Sequence, residues 1–470
     1  MGKCKHHEVC DLESPQIPDG GLCILHSNDP NKSGGEFNTA LKAQIGRSND
    51  FSFMVFPVPV RGGDVFAGNA WSQSAKFDHV TFFESAYFVD FSFRGGATFN
   101  GAAFHAKADF HRARFASAVD FCAARFEQDA DFETCTFGDN ENPNMATRFE
   151  SARFKREAKF SDSKFIGRTF FSNAAFVGTA DFSNVECAAE MVFVDTAFHA
   201  KASFERAAFR KPTAFVGSPT ERVFLDVAKF EAVTVTEPGG LRFDGVRLEQ
   251  AFFHDSDVKN IEFIGVKWAV AGIKRLASTG LVYQLLPARR VERLLPGRQA
   301  VYDEIASGTE RPPWARLERL YNHLRKNYEE RRDFGTAGDF HAGELEMRLR
   351  NPDTPVATRV VLAAYKLASR FDQSWFQPLL LFILLLLFVS GITVLSGLNT
   401  DEASHSGALV PSVMSTLGSA MLSTLESSLR LSVTDTGASG VGRLCRIMVV
   451  IIGPVLLGLF ALAVRQRVKR

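Results

Sequence analysis

The apolar positions of this chain fall at intervals that fit neither a helix nor a flat strand. Phenylalanine stands at Phe66, Phe77, Phe82, Phe88, Phe93, Phe99, Phe104, Phe110, Phe115, Phe121, Phe126, Phe132 and Phe137, with Trp71 in the single gap, so steps of five and six alternate. After the polar insertion GDNENPNM the count resumes at Phe149 and runs to Phe182, then from Phe193 to Phe215, with Cys187 where a phenylalanine is due. The residue two places before each is usually small, as at Ala75, Ala97 and Ala108. Helices repeat at about 3.6 residues and strands at about 2, whereas self-similarity at a short fixed period marks a solenoid. In extended chain, residues i−2 and i point to the same side. The small residue and the phenylalanine therefore face inward, and the remaining positions face water or turn a corner.

Four such units make a coil of 22 residues, so residues 22 apart stack. Phe77, Phe99 and Phe121 fall in one ladder; Phe165, Cys187 and Phe209 fall in another. The rungs lie at the strand spacing of ~4.8 Å, and each burial contributes about 1.5–3 kcal/mol. Near the end the count becomes a strict five (Phe243, Leu248, Phe253, Val258, Phe263, Trp268), which predicts tighter last coils. The pattern resembles the pentapeptide-repeat family, whose right-handed four-sided β-helix carries a large apolar residue at the centre of each five-residue side and a small one two before it. The resemblance spans Phe66 to Trp268. The extra residue in alternate units departs from the family pattern and enlarges each coil at two corners.

The first 62 residues are expected to cap this solenoid with a short helix and an irregular lid. They hold Cys4, Cys10, Cys23 and His26 in the spacing C-x5-C-x12-C-x2-H, with His6 and His7 close by. Three thiolates and one imidazole suit tetrahedral zinc, and a short polar segment can use a metal in place of a core. Unconnected residues in a flexible tail are the alternative. Seven cysteines at uneven spacings argue against a disulfide framework and fit a reducing compartment.

Past Trp268 the pattern turns helical. Leu317, Leu320, Tyr321, Leu324 and Tyr328 share one helix face, and Ala337, Phe340, Glu344 and Met347 line a second helix, which predicts an αα-hairpin. Val356, Val360, Ala364, Leu367 and Phe371 form an apolar stripe beside basic residues, as in a helix lying along a membrane surface. Uncharged runs then cover Ser374–Thr400 and Ile447–Val464, long enough to span a bilayer twice. Basic residues flank both outer ends (Lys366 and Arg370; Arg465, Arg467, Lys469 and Arg470), which puts the solenoid and the carboxyl terminus in the cytosol. A multi-pass location in the cell (inner) membrane is expected. The expected domains are thus a cap over 1–62, a β-solenoid over 63–270, an all-α connector over 271–373 and a two-span α-helical membrane domain over 374–470.

Between the spans, PSVMSTLGSAMLSTLESSLRL reads as a re-entrant helix. The layout of 375–470 resembles the two-span ion-channel domain at the carboxyl end of some membrane pentapeptide-repeat proteins. RLSVTDTGASGVG lacks the Tyr of a potassium filter; Glu426 and Arg430, four apart on one helix, either pair with each other or are the ionisable candidates for a pore lining.

Composition narrows the function. The net charge is +1, and the repeat from 66 to 268 carries 28 acidic against 23 basic residues, too mild a balance to imitate a polyanion. No nucleic-acid partner is expected, and a DNA-mimic role ranks last. No nucleophile with a base, phosphate-binding glycine loop or paired-carboxylate site stands out, so the chain reads as non-enzymatic. Two functions remain: an oligomeric ion channel or pore whose cytosolic solenoid binds a protein partner, and a membrane-tethered interaction scaffold without conduction.

Overall fold

The computed structural model describes residues 2–6, 8, 10, 13–14, 21–45, 47–66, 68–141, 145–217, 222–271, 297–306, 314–372, 376–395, 418, 421–422, 424–425 and 440–469. The chain divides into two compact units, Met1–Pro312 and Pro313–Arg470.

The first unit is a parallel β-solenoid of about nine turns. Its four walls are parallel sheets of nine, seven, nine and eight short strands. Most strands are two residues long, because each side of the coil reaches its next corner after one inward-facing pair, such as Ala97 and Phe99. Register follows the 22-residue coil: Ala97 pairs with Ala75 on one side and Val119 on the other. The polar insertion widens one coil, so that Val119 pairs with Thr147. At the far end Phe243 pairs with Phe263, a coil of twenty.

The corners account for the five-and-six count. His79, Asp90, Arg112, Ala123 and Thr134 adopt left-handed backbone (φ 53° to 58°), and Gly101 completes a series in which every eleventh residue does so. The series restarts at Ser151 and continues through Asp162, Asn173, Asn184, Asp195 and Arg206. Each sits two residues after a phenylalanine, inside a four-residue turn closed by a bond such as Val80 N–H to Phe77 C=O (3.3 Å). A left-handed third residue folds such a turn tightly, so that corner closes in five residues. The corners without it take six. The Asp of the recurrent Ala-Asp-Phe triplet accepts the N–H two residues on, as Asp131 does from Glu133 (3.1 Å) and Asp181 from Ser183 (3.0 Å).

Inside, the aromatic rings stack in columns. Phe77, Phe99 and Phe121 lie at centroid spacings of 4.8 Å within 7° of parallel. Rings of adjacent columns meet edge to face, as Phe110 and Phe121 do at 82°. Both geometries suit the aromatic quadrupole. The columns begin earlier than the expected start at 63: Phe51 stacks on Phe77 and Phe56 on Phe82. Residues assigned to the lid thus form the first rungs. Their bonding explains this, since Phe51 N–H donates to Lys76 C=O and Thr81 N–H to Met54 C=O.

Helix α1 (Gly34–Ile45) buries Phe37 and Leu41, and the Phe37 ring meets Phe56 edge-on at 5.1 Å. At the other end Trp268 packs on Phe253 and Phe263. There the short helix α2 (Tyr302–Ala306) adds Asp303, which accepts the N–H groups of Phe253 (3.0 Å) and His254 (2.9 Å). Backbone groups at the last open edge thereby gain a partner.

The second unit is helical. Helices α3 (Trp314–Glu330) and α4 (Phe334–Arg350) form the hairpin; Gly343 is required there, since a Cβ would lie 2.6 Å from the Tyr321 ring. Helix α5 (Val356–Ser369) exposes Val356, Val360, Val361 and Leu367. Phe371 departs from the expected stripe: left-handed backbone at Arg370, Phe371 and Asp372 ends the helix, and Phe371 packs inward with Ala342 and Leu362. Helices α6 (Phe376–Leu395) and α7 (Gly440–Lys469) pack through Phe382, Leu386, Val389, Val449 and Leu456. Among the described residues one helix is long and apolar enough to cross a membrane, over Ile447–Arg465; the apolar stretch of α6, Phe376–Ile392, is shorter.

Candidate metal centre

Four side chains far apart in sequence meet beside the first coil. A pair of two-residue strands, Gly2–Lys3 and Glu13–Ser14, holds Cys4 and Cys10 on a small hairpin. Cys23 and His26 share a tight turn closed by His26 N–H and Ser27 N–H donating to Cys23 C=O (3.0 and 2.8 Å). The ligand-bearing atoms of all four lie within 4.8 Å of one another, and all four residues are buried. Cys10 Sγ is 3.6 Å from Cys23 Sγ; His26 Nδ1 is 3.1 Å from Cys23 Sγ and 3.6 Å from Cys4 Sγ. A disulfide requires about 2.05 Å, so Cys10 and Cys23 are two thiols.

The surroundings orient this cluster. His26 Nε2 lies 3.2 Å from Ser52 C=O, a contact that favours the tautomer with Nε2–H donating and Nδ1 turned to the sulfurs. Cys23 N–H donates to Cys4 Sγ (3.5 Å). The His6 ring stacks on Phe53 at 4.7 Å and lies 5.0 Å from His26. Burial pushes the Cys4 thiol up, and the hydrogen bond it shares with Cys10, together with burial, pushes Cys23 up to about 11. Lys32, lowered to about 8 by burial, donates to Leu25 C=O (3.3 Å) and Ser27 C=O (3.0 Å). The four donors expected from sequence are thus brought together, while His7 lies outside the described residues.

Cys187 is fully buried in register with Phe165 and Phe209. Cys122 follows the inward-facing Phe121, a position that alternation along the chain turns outward. It is instead half-buried against Asp120 and Glu150, and burial and these carboxylates push its thiol up. Glu426 and Arg430 lie outside the described residues.

The solenoid surface is laced by ion pairs between successive coils. Arg112 grips Asp90 through two bonds of 2.6 Å, and Arg168–Glu190, Lys211–Glu237 and Lys229–Glu205 repeat the arrangement. Its acidic residues are therefore interleaved with cations. An open groove lined by Ser92, Arg94, Arg114 and Asp139 crosses one wall.

Two polar clusters carry little signal in the sequence. His254 Nδ1 bonds Asp303 (3.1 Å) while Nε2 faces Glu231 (3.5 Å), and the Asp303 bond raises its pKa. Buried Glu346 joins Arg350 (2.7 Å) to Lys366 (2.8 Å) across two helices. Hydrogen bonding to Asn322 and an ion pair with Arg325 account for Glu344 on the same helix. No family model, curated protein or solved structure matches this chain.

Proposed function

We propose that the protein is a membrane-tethered pentapeptide-repeat scaffold, in which a right-handed β-helix on the cytosolic side of the cell (inner) membrane displays a stiff surface to a protein partner. One observation carries the tether: the α6–α7 pair turns large apolar side chains outward, with Phe388 66%, Ile451 63%, Val455 58% and Leu462 49% exposed. Faces of that kind are costly in water and at home in hydrocarbon. In this reading α6 joins α7 as the second span, short for the bilayer core, and tilt or local thinning takes up the mismatch. The four walls of short parallel strands, and the coil of twenty at the far end, support the pentapeptide assignment. The interleaved charge supports a protein partner over nucleic acid, and the role in this reading is non-enzymatic.

Leu425 favours a second reading, a homo-oligomeric pore. It comes from the segment between the two helices and packs against their shared core, as a re-entrant helix would. Fractionation of cells expressing the full chain separates the readings. For the tether, the chain stays with membranes after carbonate washing, and Ile451→Asp with Val455→Asp releases it. Electrically silent bilayers containing the reconstituted protein favour the scaffold; steady single-channel currents establish the pore. Recovery of the wild-type chain in the soluble fraction overturns both.

A further inference from the structure

We propose that Cys4, Cys10, Cys23 and His26 hold one zinc ion that closes the amino-terminal end of the solenoid. Tetrahedral zinc with Zn–S near 2.3 Å and Zn–N near 2.0 Å separates its ligand atoms by ~3.3–3.8 Å. Three of the six separations, 3.1, 3.6 and 3.6 Å, lie in or within about 0.2 Å of that range, and all six are within 4.8 Å. The donor set is complete at four, and each residue is at most 2% exposed. No coordination position is left for a substrate, so the ion is structural. Three sulfurs select a thiophilic metal over magnesium or calcium.

The outer partners fit the same ion. His26 presents Nδ1 because Nε2–H is committed to Ser52 C=O, the usual arrangement for a ligating imidazole. Three thiolates around Zn²⁺ leave one negative charge. Cys23 N–H points at Cys4 Sγ, and the Lys32 ammonium is fixed nearby by two carbonyls; both offset that charge.

The site is joined to the first coil by backbone. Val55 N–H donates to Leu25 C=O, and Ser52 C=O accepts from His26, so the second half of the C-x2-H turn is tied at two adjacent residues to the segment carrying Phe51 and Phe56. Residues 1–33 supply little apolar core of their own: Leu25 is their one buried aliphatic residue among those described. Metal binding thus supplies the folding free energy of this cap, while the inner rungs from Phe99 onward are held by their own neighbours.

The test uses the full chain purified in detergent with a reductant and no added metal. Elemental analysis is expected to give one zinc per chain, and Co²⁺ exchange to give tetrahedral ligand-field bands with thiolate charge transfer. Cys23→Ser loses the metal, whereas His26→Cys keeps it with stronger charge transfer. In wild-type protein a chelator exposes Cys4, Cys10 and Cys23 to alkylation while Cys187 stays protected, a readout that survives any variant that fails to fold. A folded, reduced protein without zinc and silent with cobalt overturns the proposal. So does zinc retained by Cys23→Ser, or a Cys10–Cys23 disulfide that persists in reductant.

Discussion

The Cys187 thiol lies 3.8 Å from the Met191 thioether, and each of the two stands where its neighbours along the solenoid carry something else. Above and below Cys187 are Phe165 and Phe209; above and below Met191 are Thr169 and Thr213. A phenyl ring lost at one position is matched by a longer side chain gained at the next. The flexible thioether suits such a gap, and a double-mutant cycle measures the exchange. Cys187→Phe alone overpacks this coil at a cost of about 1–3 kcal/mol, and Met191→Thr alone leaves a cavity of similar cost. The double variant restores the pattern of the adjoining coils, so urea unfolding is expected to place it within about 1 kcal/mol of wild type. Additive losses would show that the two sites are not coupled.

The same burial sets thiol chemistry. Desolvation pushes Cys187 far above the ordinary thiol range, and it has no path to solvent. Cys122 is also raised, by burial and its two carboxylates, but its side chain is partly exposed. Timed alkylation at pH 8 with mass-spectrometric readout is expected to modify Cys122 slowly and Cys187 only on unfolding. Glu150→Gln removes one of the two charges and speeds Cys122. Labelling of native Cys187 at a rate like that of Cys122 would contradict the ladder.

Thr134 is the one β-branched residue among the described left-handed corners, at φ 58°. Left-handed backbone costs an L-residue roughly 1–2 kcal/mol, more for a branched side chain. Glycine removes that strain and returns part of the gain as unfolded-state entropy. Thr134→Gly is therefore expected to stabilise the solenoid by about 0.5–1 kcal/mol in chemical denaturation, and Asn173→Val to destabilise it. A destabilised Thr134→Gly would mean that the threonine side chain, not the backbone, decides the corner.

The ladders were legible because their signal is local: five or six residues carry one rung, and the rung repeats. The corners were half legible. Asp and Asn at alternate corners announce a left-handed turn, but His79, Arg112 and Thr134 adopt it because neighbouring coils impose it. The start of the solenoid was hidden, because Phe51 and Phe56 precede the break at Gly62–Val65 and lie outside the running count. The clasp at the other end was illegible. Asp303 reaches the backbone of His254 across about fifty residues, and no periodicity links them. The cysteine–histidine cluster was readable as a donor set, though not from a familiar spacing.

That clasp makes stability depend on pH. His254 has its pKa raised by the bond to Asp303, helped by Glu231 and Asp255. A raised folded-state pKa gives stability that is fully present below the unfolded value, near 6.5, and is lost as pH rises through the folded one. The melting temperature of wild type relative to His254→Gln is expected to be highest below pH 6 and to shrink above 6.5. Asp303→Asn keeps an acceptor for the two N–H groups but removes the charge, so it flattens this dependence. An advantage that grows with pH would reverse the sign and exclude the charged clasp.

The insertion between Phe137 and Phe149 offers the most direct test of the count. Phe121 stacks on Phe149 at 5.0 Å and 3°, although 28 residues separate them where the preceding rungs, Phe77, Phe99 and Phe121, are 22 apart. The six additional residues therefore lengthen this coil without disturbing the column. Removing 139–144 joins Gly138 to Met145 and leaves a six-residue step from Phe137 to Phe149, as the alternation requires. The deletion sacrifices the exposed Arg114–Asp139 pair, 3.0 Å long, and such surface pairs contribute roughly 0–1 kcal/mol. Shortening a surface loop also changes closure entropy only weakly. The deleted protein is expected to unfold cooperatively with a melting temperature within about 5 °C of wild type, and deleting only five residues to cost far more. A five-residue deletion puts Phe149 out of phase with Phe121 and Phe171 and turns its ring away from the column. Equal tolerance of both deletions would show that the aromatic register does not hold the coils together.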